Sequence, residues 1–149
     1  MRKYVLLIII LLIAVVVFSN FYLANSKTSY NSSNIQTIAR AVNGEARGEP
    51  YEGQVAVAAV ILNRVRHPSF PNSIAGVIYQ PGAFTAVADG QINVPIDPNS
   101  SVYKACQAAM NGWDPSNGAI YYYNPATATN KWIWSKQIIK RIGKHNFAK

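Results

Sequence analysis

Residues 43–66 read NGEARGEPYEGQVAVAAVILNRVR. The second half of this stretch carries the run VAVAAVIL, residues 55–62, which is apolar on nearly every side of a helix rather than along one stripe. A helix of about Tyr51–Arg66 built this way belongs in the middle of a fold. Pro50 suits its start, because proline is tolerated in a first turn where the missing N–H has no partner to lose. Upstream, Ile35, Ile38, Ala39 and Val42 stand at i, i+3, i+4 and i+7 and form one apolar helix face. That helix should end between Gly44 and Gly48. The junction of the two helices therefore holds three carboxylates, Glu45, Glu49 and Glu52, within eight residues.

Downstream, Pro68 and Pro71 stop the central helix from continuing. Residues Ser73–Tyr79 fit a short helix. Ala83–Ile92 combines β-branched and aromatic residues with an Asp89-Gly90 turn signal, which predicts a small hairpin. Pro95 and Pro98 mark a loop, and Ser100–Asn111 is an amphipathic helix ended by Gly112. Ala119–Tyr123 and Ile138–Phe147 read as strands on either side of an aromatic connection. The sum is an α+β domain, mainly helical with a small β-region, over residues 34–149.

The N-terminus follows a different pattern. Arg2 and Lys3 precede fifteen residues, Tyr4–Phe18, with no charge or strongly polar group, and Phe21–Ala24 resume the apolar character. A basic start followed by an apolar run directs a chain to export. Tyr4–Ala24 is long enough for a signal anchor with its N-terminus inside. Alternatively, Val5–Phe18 is the core of a signal peptide cleaved at a small-x-small site formed by Ala24 and Ser26. A buried N-terminal core helix is the third option. Under the first two, residues 1–24 are anchor or signal and the remainder lies at the extracytoplasmic face. Residues 25–33, NSKTSYNSS, read as a polar tether.

Fourteen Lys and Arg against six Asp and Glu give a formal net charge of +8. Such a balance favours polyanionic partners. Export makes nucleic acid a poor candidate and favours acidic wall polymers or anionic headgroups. The single cysteine, Cys106, excludes an intramolecular disulfide, and its apolar helical neighbours Val102, Ala105 and Ala109 predict a buried structural thiol. The two histidines, His67 and His145, stand far apart with no ligand-like neighbours, so no metal or other cofactor is called for. Neither a phosphate-binding glycine loop nor a serine-nucleophile elbow is present.

Glu45 is the carboxylate best placed for chemistry. The negative end of the helix dipole and a like charge at Glu49 both favour its neutral form, as would a cleft wall, and a neutral carboxyl suits a proton donor. A solvated acidic turn balancing Arg40 and Arg47 would present the same residues. Tyr121, Tyr122 and Tyr123 are consecutive, so in a strand Tyr121 and Tyr123 share one face and Tyr122 takes the other. One face can feed the core while the other lines a groove for sugar rings. Lys131, Lys136, Lys140, Arg141, Lys144 and Lys149 follow without an intervening acid. They suit a glycan bearing carboxylates, or simply solubilise the surface.

The segments IARAVNGEARGEPYEGQVAVAAVILNRVRHPSFPNSIAGVIYQPGAFTAVADGQI and AIYYYNPATATNKWIWSKQIIKRIGKHNFA closely resemble the spore cortex-lytic cell-wall hydrolases of the SleB/CwlJ type. The likeness covers about Ile35–Ala148. It implies a lysozyme-like, lytic-transglycosylase-like catalytic domain acting on peptidoglycan glycan strands. The family's catalytic glutamate lies in the NGEARGE motif and maps onto Glu45. Its groove residues map onto Phe84, Thr85, Gln91, Tyr122, Tyr123, Trp132 and His145. Longer members carry a wall-binding module where this chain has its N-terminal apolar segment. The implied reaction cleaves the bond between N-acetylmuramic acid and N-acetylglucosamine and leaves 1,6-anhydromuramoyl ends. Alternatives are a hydrolytic muramidase using Glu49, Glu52 or Asp89 as second carboxylate, a zinc-dependent amidase, or a non-catalytic membrane-tethered glycan binder.

Overall fold

The computed structural model describes the backbone of residues 2–149 and the side chains of residues 8–21 and 32–149. The chain divides into two compact units, Met1–Ser33 and Asn34–Lys149. Helix α1 spans Arg2–Ala46 and contributes to both. In the first unit the large apolar side chains from Ile8 to Phe21 are 47–71% exposed. Among the described residues no helix is long and apolar enough to cross a membrane. The flanking side chains of the expected anchor lie outside the described residues. Residues 25–33, read as a polar tether, have helical backbone, and no Gly or Pro interrupts them.

In the second unit α1 buries Ile35, Ile38, Ala39, Val42 and Ala46, a single stripe at helical spacing. Helix α2 (Tyr51–Arg66) is the central element, and every residue from Gly53 to Ile61 is buried. Such a helix has no face for water, so other elements must surround it. Its principal helical partner is α5 (Ser101–Met110), which presents Val102, Ala105, Cys106 and Ala109. Cys106 is fully buried, and burial pushes its thiol up to about 12. Serine side chains start two of the helices beyond α2. Ser73 Oγ accepts from Gly76 N at 3.0 Å ahead of α3 (Ile74–Ile78), and Ser100 Oγ accepts from Tyr103 N at 3.2 Å ahead of α5.

The expected hairpin at Ala83–Ile92 does not form. Thr85–Ala88 is a short helix, α4, and Gln91–Asn93 is a 3₁₀ turn. Asp89-Gly90 turns the chain as expected, with Gly90 at φ 81, but the Asp89 carboxylate accepts from Gln91 N and Gln91 Nε2. Those bonds coil the following residues into a second helical turn instead of releasing a return strand.

Strands β1 (Tyr121–Tyr123), β2 (Ile138–Ile142) and β3 (His145–Ala148) form an antiparallel sheet in the order β1-β3-β2. The segment read as one strand, Ile138–Phe147, is therefore a hairpin. Gly143, at φ 56, supplies the left-handed first position that a two-residue Gly-X turn needs, and Ile142 pairs His145 across it. The aromatic connection contains a 3₁₀ helix, Lys131–Ser135.

The loop between α5 and β1 is held by Asp114. Its carboxylate accepts from Ser116 N, Ser116 Oγ, Gly118 N and Asn63 Nδ2, the last on α2. Burial pushes this carboxyl up, but these hydrogen bonds outweigh burial and hold it below the usual aspartate range. Asp114→Ala should cost about 1–3 kcal/mol, because several donors lose their acceptor together. Urea unfolding of the two proteins at neutral pH measures this directly.

Candidate active site

Glu45 occupies the last turn of α1, one residue before its end. Gly44 beside it allows α4 to approach closely, since a Cβ at this position would lie 2.6 Å from Ala86 Cβ. The approach delivers Thr85, the first residue of α4, to the Glu45 carboxylate. Thr85 N donates to Glu45 Oε1 at 2.8 Å and Thr85 Oγ1 donates to the same oxygen at 2.6 Å. The amide is one of the donors that a helix start leaves without an internal partner, so Glu45 acts as an external cap for α4. From the sheet, Tyr122 Oη donates to Glu45 Oε2 at 3.2 Å. Burial and the nearby Glu45 charge raise the Tyr122 pKa, so the phenol stays neutral.

Tyr122 is held on both sides. Its ring meets His145 edge-to-face at 5.4 Å and tilts against the buried Phe147 at 6.2 Å. Arg64, the last buried residue of α2, completes the floor. Its Nε donates to Ile120 O at 2.8 Å, and its guanidinium lies 5.4 Å from the Phe70 ring and 5.7 Å from the Phe84 ring. Burial lowers the Arg64 pKa, opposed by Tyr122, Tyr121 and Glu45. Glu45, Arg64, Tyr122 and His145, together with Asn124 and Thr127, line an open concavity of about 390 Å³.

Glu49 points elsewhere. Its Oε2 accepts from Lys144 N at 2.8 Å, in the β2–β3 turn, and lies 3.9 Å from His145 Nδ1. A Cβ at Gly143 would collide with this carboxylate, so the turn must be glycine for steric as well as conformational reasons. Glu49 thus holds the hairpin, and the hairpin holds His145 against Tyr122.

Of the residues expected at the site, Thr85 and Tyr122 bond Glu45, and Tyr123 and His145 line the same concavity. Phe84 is 3% exposed and lies beneath Arg64, so it supports the wall without forming it. Gln91 is bonded to Asp89, and Trp132 packs edge-on against Tyr121 at 5.1 Å; neither lines the Glu45 concavity. Arg64 escaped the sequence reading, although an arginine inside a helix with no solvent face is itself a signal. Asn124 and Thr127 carried none. Among the described residues no three His, Cys, Asp or Glu side chains cluster as a metal site.

His145 is 8% exposed, and burial lowers its pKa from the ordinary 6.5, against the opposing charges of Glu49 and Glu45. As pH falls below 6.5 the unfolded chain takes up this proton before the folded one does. The stability contribution is therefore complete above that value and is lost as pH drops toward the folded-state pKa. His145→Gln should remove this part of the acid-side loss. Urea midpoints of both proteins at about pH 5 and about pH 7.5 test it, since the wild-type difference should exceed that of the variant.

Comparison with known proteins agrees with this architecture. The family model described as Cell Wall Hydrolase matches residues 48–148. The chain is 60% identical over 125 residues to the spore cortex-lytic enzyme of Bacillus cereus, covering 84% of this chain and 48% of that protein. It is 60% identical over 124 residues to that of Bacillus subtilis, covering 83% and 40%. It thus spans about half the length, or less, of these relatives. Among solved structures, the catalytic domain of Bacillus cereus SleB superposes with a TM-score of 0.74 at 62% identity, over 79% of this chain and 91% of that one. The catalytic domain of the germination-specific lytic transglycosylase SleB from Bacillus anthracis gives 0.74 at 63%, over 78% and 93%. A mainly helical domain with a small sheet, matched by that model over residues 48–148, places the chain in the cell wall hydrolase family.

Proposed function

We propose that this chain cleaves peptidoglycan glycan strands between N-acetylmuramic acid and N-acetylglucosamine as a lytic transglycosylase, with Glu45 as its acid and base. The observation that carries this reading is that Glu45 is the sole carboxylate lining its concavity among the described residues. Glu49 is committed to Lys144 N and Asp89 to Gln91. A glycosidase that activates water ordinarily needs two carboxylates flanking the bond, whereas intramolecular attack by the sugar's own hydroxyl needs one.

Oε1 already accepts from Thr85 twice, so in this reading Oε2, the oxygen facing Tyr122, is the one that hands over the proton. Glu45 gives that proton to the glycosidic oxygen as the bond breaks. Positive charge develops on the muramoyl ring beside the new carboxylate. The same carboxylate then takes the proton from the ring's 6-hydroxyl, whose oxygen closes on C1. The carboxyl is regenerated, no water enters, and a 1,6-anhydromuramoyl end remains. Neutral Tyr122 can accept from protonated Oε2 and donate to the ionised one, following both states without moving.

The relatives named as spore cortex-lytic enzymes support peptidoglycan as the polymer, and the domain named a lytic transglycosylase supports the reaction type. We place the domain at the extracytoplasmic face, held by the N-terminal helix. The exposed apolar side chains of residues 8–21 support this, because a continuous apolar surface of that size requires a lipid or protein covering.

Glu45→Gln should lower cleavage of purified peptidoglycan by about 10²–10⁴-fold, the usual worth of a positioned acid–base. Glu49→Gln should lose less than about tenfold, since an amide oxygen still accepts from Lys144 N. Mass spectrometry of the released fragments reads both rate and product. Anhydromuramoyl ends from wild type and Glu49→Gln, but not from Glu45→Gln, are expected. Reducing ends would mean hydrolysis, and no new ends from any protein would mean a binding role. Thr85→Val keeps the amide donor and removes the hydroxyl, so it should reduce turnover by about tenfold with unchanged products. Initial rates on the same material measure it.

A further inference from the structure

Arg64 is 9% exposed, the only lysine or arginine among the described residues to be buried. Its Nε donates to Ile120 O, which ties the last turn of α2 to the residue before β1. Phe70 and Phe84 lie against its guanidinium. The close pair of a carboxylate with a basic side chain among the described residues is Glu49 with His145, so no carboxylate stands within ion-pair distance of Arg64. Yet Arg64 and Glu45 line the same concavity, and the Glu45 charge acts on the guanidinium against the burial that lowers its pKa.

A buried cation without a close counter-ion is costly, and contact with two phenylalanine rings returns only part of that cost. The tie to β1 does not require it. A glutamine would make the same bond to Ile120 O, because its amide nitrogen stands as many bonds from the backbone as arginine Nε does. The charge itself therefore calls for a function.

We propose that Arg64 is a positioning residue for proton transfer, the standing countercharge that favours the Glu45 carboxylate formed when the proton leaves. The proposal rests on Glu45 being the acid of the reading above and adds what sets its strength. Separation is essential to the role. A carboxylate in direct contact with a guanidinium is held ionised and has no proton to give. Beyond contact distance, the charge biases Glu45 without trapping it. The other groups facing Glu45 do not supply this charge. Thr85 from α4 and Tyr122 from β1 are neutral donors, and burial holds His145 from β3 neutral at pH 7, with Glu49 and Lys144 acting on it in opposite senses. Tyr121 and Tyr122 are the remaining titratable groups facing Arg64.

The test is a carboxyl titration by NMR of the full chain in detergent micelles, labelled with ¹³C at the glutamate side-chain carboxyls. The glutamates are Glu45, Glu49 and Glu52, and Glu45→Gln identifies the Glu45 signal. In Arg64→Gln that signal should titrate about one pH unit higher than in wild type. On purified peptidoglycan the same variant should stay active about one unit further to the alkaline side, with a plateau about threefold lower, because a weaker acid gives up its proton less readily. Arg64→Lys keeps the charge and loses the bond to Ile120 O. Its Glu45 signal should titrate as in wild type even where urea shows lower stability. The His145 ring signals, followed in the same samples, separate its titration from that of Glu45. An unchanged Glu45 titration in Arg64→Gln, or an equal displacement in Arg64→Lys, overturns the countercharge and leaves Arg64 as a tie between helix and sheet. If the glutamine variant does not fold, the lysine variant decides alone, since a displaced Glu45 signal there overturns the proposal and a wild-type one supports it. The expected titrations with no cleavage by wild type remove the enzymatic reading and leave the coupling of Arg64 to Glu45 standing.

Discussion

The bond from Thr85 N to Glu45 Oε1 joins the end of one helix to the beginning of another. Glu45 closes α1 and the amide opens α4, so the two termini meet at a single carboxylate. The electrostatics oppose each other there, because the negative end of α1 disfavours a carboxylate and the positive end of α4 welcomes one. Thr85 Oγ1 adds a second donor to the same oxygen. The result is a carboxyl group whose two oxygens are inequivalent before any ligand arrives. Gly44 makes this possible, since any side chain there would push α4 away and take Thr85 with it.

A second carboxylate does comparable structural work nearby. Glu49 binds the β2–β3 turn at Lys144 N, and the turn orients His145, which in turn meets Tyr122. The order of support therefore runs from the α1–α2 junction, through the hairpin, to the phenol facing Glu45. Asp89, Asp97 and Asp114 likewise accept backbone amides close to them in sequence. Acid groups in this domain are spent on organising backbone more than on neutralising cations. That leaves Lys140, Arg141 and Lys144 of the β2–β3 hairpin without a carboxylate ion pair among the described residues.

The helical framework was legible because its signals are local. Ile35, Ile38, Ala39 and Val42 mark a stripe, VAVAAVIL marks a buried helix, and Ser73 and Ser100 mark starts, each within one or two turns of chain. Glu45 and Tyr122 were legible through the family likeness and the alternation of three tyrosines. What remained hidden depends on pairings between distant residues. Nothing local to Thr85 says that its amide meets a carboxylate forty positions earlier, and without that contact Ala83–Ile92 reads as readily as strand. The division of Ile138–Phe147 turned on Gly143, whose Gly-X turn signal is present but weaker than the Asp-Gly pair that misled upstream. The faces of β1 were predicted as alternating but not assigned: Tyr122 took the side of Glu45, while Tyr121 and Tyr123 each met a tryptophan.

Cys106 lies at the heart of the α2–α5 contact, fully buried and with its thiol pushed up to about 12. A thiol so shielded and so weakly acidic is inert to alkylating reagents while the domain is folded. The native chain therefore already behaves as a cysteine-free background for site-directed labelling. A cysteine introduced on the rim of the concavity would take a fluorophore or spin label alone, and slow modification of Cys106 itself would time the opening of the core.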